Sequence, residues 1–395
     1  IVRKESGYSK LIAFYSVEKS REWFQQRIIP LRNALNQAQL GNPESSPTED
    51  SPRALYPVPH AAPLGSIDWS AAEELFRALF PAPHAAQILE SKAIIFIPDD
   101  LLFVLPLELL SPQATEGVFP LLGLPTRYYP SAASLNLVRA TGNAGPWPEA
   151  FLGIGDPITS PKDARYPLTK IVSDVTSRPE APSSPALQAD ATSDGQLKRI
   201  RSRGFSFERL PGTATEIRDI ASVFKSEGQV ADTRLGIDAT KKGLLETDLT
   251  RYRYVHFATH GVLPTDTGID EPALVLSLDG ANASQMFLPM SQILQLRLKA
   301  DSVVLSACNT GAGKVSRAEG VMSLGRAFLA AGASSVTVSL WEVSDDSTVL
   351  LMEEFYRRLL SGESKDKALA EARLKLFNGR YKSPFYWAPF VLIGE

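Results

Sequence analysis

One cysteine, Cys308, occurs among the 395 residues. An internal disulfide is therefore excluded, and nothing in the chain demands an oxidising compartment. A lone thiol that must stay reduced fits the cytoplasm. Long apolar runs are missing too. None approaches the ~20 residues a membrane helix needs, and the N-terminus lacks the form of a signal peptide, so no membrane partner is expected. Nor is there an excess of one charge: 41 basic and 44 acidic residues are well mixed and leave a net −3. No basic stripe with interleaved aromatics points to nucleic acid. No internal repeat of roughly 20–50 residues is visible. The chain starts at Ile1 rather than Met, which points to a piece of something longer.

What is present suits a globular α/β protein. Apolar residues make up 44% of the chain, enough for a substantial core, and the length allows more than one unit. Lys10–Val17 reads as a strand, and a helical pattern follows from about Ser20 to Ala38. Gly41–Ser66, rich in Pro and Ser, reads as an insertion or long loop. Trp69–Leu79 is helical in pattern, and Ile94–Pro98 and Phe151–Gly155 read as buried strands. From Asp156 to about Gly204, six prolines sit among Ser, Thr, Ala and Asp. Such a segment cannot bury enough to offset its ordering entropy and reads as a flexible linker. Beyond it the pattern is regular. Helices are expected near Ala214–Phe224, Ser291–Leu298, Gly320–Ala331, Asp345–Leu360 and Lys365–Phe377. Strands are expected at Tyr254–Thr259, Val303–Ala307, Ser335–Trp341 and Phe390–Ile393. Strands alternating with helices imply a mostly parallel sheet covered on both sides.

Two of these strands end on reactive residues. Tyr254–Thr259 runs into His260-Gly261, and Val303–Ala307 runs into Cys308, followed by Asn309-Thr310-Gly311-Ala312-Gly313. In open α/β sheets the reactive crevice lies beyond the carboxyl ends of the strands. A histidine and a thiol delivered there make a base and a nucleophile. The 48 residues between them suffice for one crossover and a return to a neighbouring strand. Each has a plainer reading, Cys308 as a small buried filler and His260 as a structural core histidine. Spacing alone leaves both open.

The motifs are more specific. Val255-His256-Phe257-Ala258-Thr259-His260-Gly261 is followed by Leu305-Ser306-Ala307-Cys308-Asn309-Thr310-Gly311. Then come Glu319-Gly320-Val321 with Gly325–Ala333, Ser339-Leu340-Trp341-Glu342-Val343, and Tyr386–Gly394. In this order they resemble the CHAT domain, a bacterial member of the caspase-like cysteine peptidases, which include separase, gingipains and metacaspases. Phe96-Ile97-Pro98-Asp99 and Leu105-Pro106-Leu107 resemble that domain's amino-terminal part. The resemblance implies a caspase-like α/β fold, mostly parallel with helices on both faces. A degenerate half (1–155), the linker (156–204) and a catalytic half (205–395) would follow one another. It implies a cysteine endopeptidase acting on a protein substrate without a cofactor or metal. Cys308 would be the nucleophile, His260 the general acid and base, and the backbone N–H groups of Gly261 and Cys308 the oxyanion hole. It also makes self-cleavage in the linker plausible. CHAT domains commonly follow tetratricopeptide repeats, so such a region or a regulatory protein is an expected partner. The alternative is a silent or conditionally assembled scaffold, since fold does not fix function.

Other candidates carry two readings. Asp345 and Asp346 either complement the start of a helix capped by Ser344 or line a pocket for a basic P1 residue. Counting from the shared tryptophan, the separase pocket aspartate falls at about Val349. Glu319 is equally a helix-start carboxylate. His256 sits two pleats below His260, ~13 Å away, and reads as a satisfied core histidine. His60 and His84 read as loop residues. Asp266, Asp270 and Glu271 lack the EF-hand pattern and read as a solvated loop. Gly311-Ala312-Gly313-Lys314 fails as a phosphate loop, because Cys308 and Val315 stand where glycine and Ser/Thr are required.

Overall fold

The computed structural model describes residues 2–5, 8–11, 19–36, 64–141, 145–166, 207, 209–264, 270–279, 283–306, 315–341, 343 and 345–395. Among them, thirteen strands run in chain order: β1 (Val2–Glu5), β2 (Tyr8–Leu11), β3 (Ile94–Phe96), β4 (Thr126–Tyr128), β5 (Glu149–Gly155), β6 (Ala231–Leu235), β7 (Tyr252–Ala258), β8 (Gly261–Val262), β9 (Ala273–Val275), β10 (Phe287–Pro289), β11 (Ser302–Leu305), β12 (Ser335–Ser339) and β13 (Phe390–Gly394). The chain is mixed α/β, as its alternating pattern predicts. No helix among the described residues is long and apolar enough to cross a membrane. The contacts divide the chain into two compact units.

The first unit combines residues up to Leu137 with Leu340–Gly394. Its strands lie in the order β2-β1-β3-β4-β13. β1 pairs antiparallel with β2 and with β3, whereas β3–β4 and β4–β13 are parallel. Of the run expected as a strand at Lys10–Val17, only Lys10 and Leu11 belong to β2, and the remainder lies outside the described residues. The helix Lys365–Asn378 is tied to this sheet by charge. Arg127 in β4 donates to Asp366 at 2.8 Å, and buried Arg373 pairs with buried Glu108 and donates to the Phe390 carbonyl in β13. A buried charge persists only when paired in this way.

The second unit is built from the described residues between Val138 and Ser339 other than Val315, with Glu395. Its main strands, in the order β12-β11-β7-β5-β6, are all parallel. Side chains alternate across a strand, and β7 shows both faces covered. The Tyr254 ring lies 5.7 Å from Phe224 on the helix Pro211–Ser226, while the Phe257 ring lies 5.3 Å from Phe328 on the helix Val315–Ala330. Two-sided covering explains the short apolar stretches Phe151–Ile154 of β5 and Val303–Leu305 of β11. Gly153 and Gly155 let the first helix settle close, since a Cβ on Gly153 would stand 2.6 Å from Ile217 Cγ2.

A smaller antiparallel sheet, β10-β9-β8, belongs to the same unit. Its core contains Ile158, Tyr166, Val262, Val275 and Phe287. Ile158 and Tyr166 come from the stretch that reads as a linker, so its first residues, 156–166, pack into the core. The buried Asp156 carboxylate holds them there, accepting from Arg165 at 2.7 Å and from Arg209 at 2.9 Å. Residues 167–204 of that stretch lie outside the described residues. The helix expected over Ser291–Leu298 is one turn, Met290–Ile293. The chain then leaves the helix so that the Leu298 N–H can donate to the Ala331 carbonyl at 2.9 Å.

Candidate active site

β7 and β11 are immediate parallel neighbours, with Leu305 opposite Phe257 in register. Each ends just short of a candidate catalytic residue: β7 at Ala258, two residues before His260, and β11 at Leu305, three before Cys308. The last described bond between them runs from the Ser306 N–H to the Phe257 carbonyl at 2.9 Å. Cys308 and the rest of 307–314 lie outside the described residues.

His260 is fixed by its neighbours. The Thr259 hydroxyl donates to the Val275 carbonyl, and the Val275 N–H donates to the His260 carbonyl at 2.9 Å. Gly261 then enters β8 opposite Leu274 of β9. The imidazole is 1% exposed, and the Phe207 ring lies against it with centroids 5.8 Å apart. Beyond it, Leu263 packs on Gly320 of the helix Val315–Ala330.

His256 is the core histidine its position predicts. It is fully buried, with Nε2 3.0 Å from Glu216 Oε1. The other Glu216 oxygen accepts from the Ser306 hydroxyl at 3.3 Å. Burial and the Arg253 guanidinium act oppositely on nearby Tyr254, and burial wins, raising its phenol well above the ordinary value.

The other candidates belong to other elements or lie outside the described residues. Asp346 is exposed in the first turn of the helix Asp345–Leu360, in the first unit. Burial raises the Tyr381 phenol, and the Asp346 charge adds to that effect. The side chains of Asp345 and Glu319 are outside the described residues, as are His60 and Asp266. His84 corrects its reading as a loop residue. It sits in the helix Ala82–Leu89, because Pro81 and Pro83 flank a first turn, where proline is tolerated. Glu271 accepts from the Ser291 N–H at 2.7 Å and hydroxyl at 2.6 Å, a capping role. Among the described residues no three His, Cys, Asp or Glu side chains cluster as metal ligands.

Sequence reasoning passed over Glu216 and Phe207. Glu216 carried a signal: it stands four residues before Ile220 and eight before Phe224, on the apolar face of its helix. Phe207 had none, since its contact with His260 spans 53 residues of chain.

Comparison with known proteins supplies the family. The model of the CHAT domain matches residues 70–395. Tetratricopeptide repeat protein 28 of Homo sapiens is 32% identical over 192 residues, covering 41% of this chain and 8% of the human protein. Its Mus musculus counterpart is 38% identical over 112 residues, covering 28% and 4%. The match thus spans under a tenth of either relative's length. Among solved structures, the Arg-specific cysteine proteinase gingipain R superposes with a TM-score of 0.46 at 7% identity, over 82% of this chain and 67% of that one. The Saccharomyces cerevisiae separase–securin complex gives 0.42 at 14%, over 95% and 22%. Likenesses this distant carry no argument about chemistry. On the match over residues 70–395, the chain belongs to the CHAT domain family.

Proposed function

We propose that the chain is a caspase-like cysteine endopeptidase working through a Cys308–His260 dyad. The observation that carries this reading is the parallel pairing of β7 and β11, which lead side by side to His260 and to the sole cysteine. In this reading Cys308 Sγ attacks the scissile carbonyl, and the N–H groups of Gly261 and Cys308 receive the oxyanion. His260 takes the thiol proton and gives it to the departing amine. Water then attacks the thioester, His260 takes its proton, and the acid product leaves with the thiol restored. Asp345 or Asp346 is proposed to contact the P1 side chain. A tetratricopeptide-repeat region is the proposed partner, because both curated relatives carry that name.

One observation favours a second reading, a scaffold whose site assembles only conditionally. His260 is 1% exposed with the Phe207 ring against it, so a substrate cannot meet the imidazole until its surroundings rearrange. Peptidyl acyloxymethylketones separate the two. A peptidase is labelled at Cys308, and a scaffold is not.

A further inference from the structure

We propose that Glu216 is a positioning residue that holds the two strand ends of the dyad at a fixed separation. The proposal rests on the dyad reading above and adds to it a third, buried group that meets no substrate.

The geometry points to one carboxylate bridging two strands. Glu216 is 3% exposed on the helix Pro211–Ser226. One oxygen lies 3.0 Å from Nε2 of His256 in β7, and the other accepts from the hydroxyl of Ser306, which follows β11, at 3.3 Å. His256 stands four residues before His260, and Ser306 two before Cys308. The sheet is built to admit this reach. In register, His256 has Gly153 of β5 on one side and Val304 of β11 on the other. Gly153 has no side chain, and Ile217 fills the space its Cβ would occupy, at 2.6 Å. The helix therefore lies low enough for the neighbouring Glu216 to enter the polar layer between the strands.

Stability alone is a weak account of this group. Replacing both members of a buried pair by apolar residues is often neutral. An apolar pair, however, cannot fix two strand ends at hydrogen-bond distance. At Ser306, the last described residue on the β11 side, the backbone N–H pairs with Phe257 and the hydroxyl ties to Glu216. A shift of about 1 Å in a reacting group costs on the order of 100-fold in rate, so a tie at this level has leverage on the chemistry.

The test uses the sole thiol. Wild type, Glu216→Gln, Ser306→Ala, Ser306→Thr and His260→Ala are treated with peptidyl acyloxymethylketones bearing basic or apolar P1 groups. Inactivation is resolved into a maximal rate and a half-saturating concentration, alongside thermal unfolding. The proposal expects Glu216→Gln and Ser306→Ala to lower the maximal rate by about 10–100-fold with the half-saturating concentration unchanged. Ser306→Thr, which keeps the hydroxyl, should recover most of the rate. Ser306→Ala loses a single hydroxyl, so it decides the matter if Glu216→Gln fails to fold. Wild-type rates in folded Ser306→Ala and Glu216→Gln, with His260→Ala slowed, overturn the proposal and leave the dyad standing. Absence of labelling in wild type overturns the dyad reading and this proposal with it.

Discussion

Gly320 and Leu263 meet so closely that a Cβ on the glycine would lie 1.8 Å from Leu263 Cδ2. Leu263 follows His260 by three residues, and Gly320, in the helix Val315–Ala330, follows Cys308 by twelve. The Glu-Gly motif thus has a packing cause at its glycine. Gly320→Ala gains about 0.5–1 kcal/mol of helix preference but overpacks a buried contact, at about 1–3 kcal/mol. The expected outcome is a net loss of stability in urea titration, together with reduced peptide turnover. A gain near 1 kcal/mol with turnover intact would mean that Leu263 yields and the contact has no bearing on the site.

The Phe207 ring lies against buried His260, so its removal is expected to open the imidazole. Phe207→Ala is expected to raise the rate of His260 modification by diethylpyrocarbonate several-fold, while His256, buried beside Glu216, stays protected. With four histidines in the chain, peptide mass mapping resolves each one. An unchanged His260 rate would show that Phe207 does not limit access.

Acid stability follows Asp366. Burial alone would raise its carboxyl. The Arg127 hydrogen bond and charge, helped by Ser364 and the Lys367 N–H, outweigh burial and hold it below the ordinary carboxylate value. The folded value is the lower one, so this carboxylate's contribution is complete above the unfolded value, about 3.9, and fades as pH falls through the folded one. Asp366→Asn should therefore destabilise the chain at pH 7, and the gap to wild type should narrow as the pH drops below about 4. A gap that stays constant across this range in denaturant titrations would contradict the assignment.

Specificity separates the two readings of Asp345 and Asp346. A P1-contacting carboxylate makes a basic P1 residue preferred, and Asn at that position erases the preference. Helix-start carboxylates instead cost about 0.3–1 kcal/mol each when neutralised and leave selectivity intact. A peptide-library profile of the purified chain favouring apolar P1 residues would rule out the acidic-pocket idea.

The parts legible in the sequence were those with a local signature. β5 and β11 are buried and read as short apolar runs, while aromatic and β-branched residues mark β7 and β12. The apolar periods over Gly320–Ala331 and Asp345–Leu360 mark two helices, found at Val315–Ala330 and Asp345–Leu360. β4, β8 and β9 have two or three residues and no period to display. Asp156–Tyr166 is harder in a different way. Its prolines suggested chain that cannot fold, but its order comes from Arg209, 53 residues on in the sequence, and from Ser277, whose hydroxyl accepts from the Ile158 N–H at 2.8 Å. Glu216 shows the same limit at the site. Its place on the apolar face was visible, whereas His256 and Ser306 as its partners follow only from strand order.

The most direct test of the proposed peptidase is steady-state cleavage of a peptide library by wild type, Cys308→Ala and His260→Ala, each checked for native folding by circular dichroism. Members of a cooperating catalytic pair each carry nearly the whole chemical advantage. The account predicts turnover by wild type and its loss in both folded variants. Turnover retained by Cys308→Ala would contradict it outright.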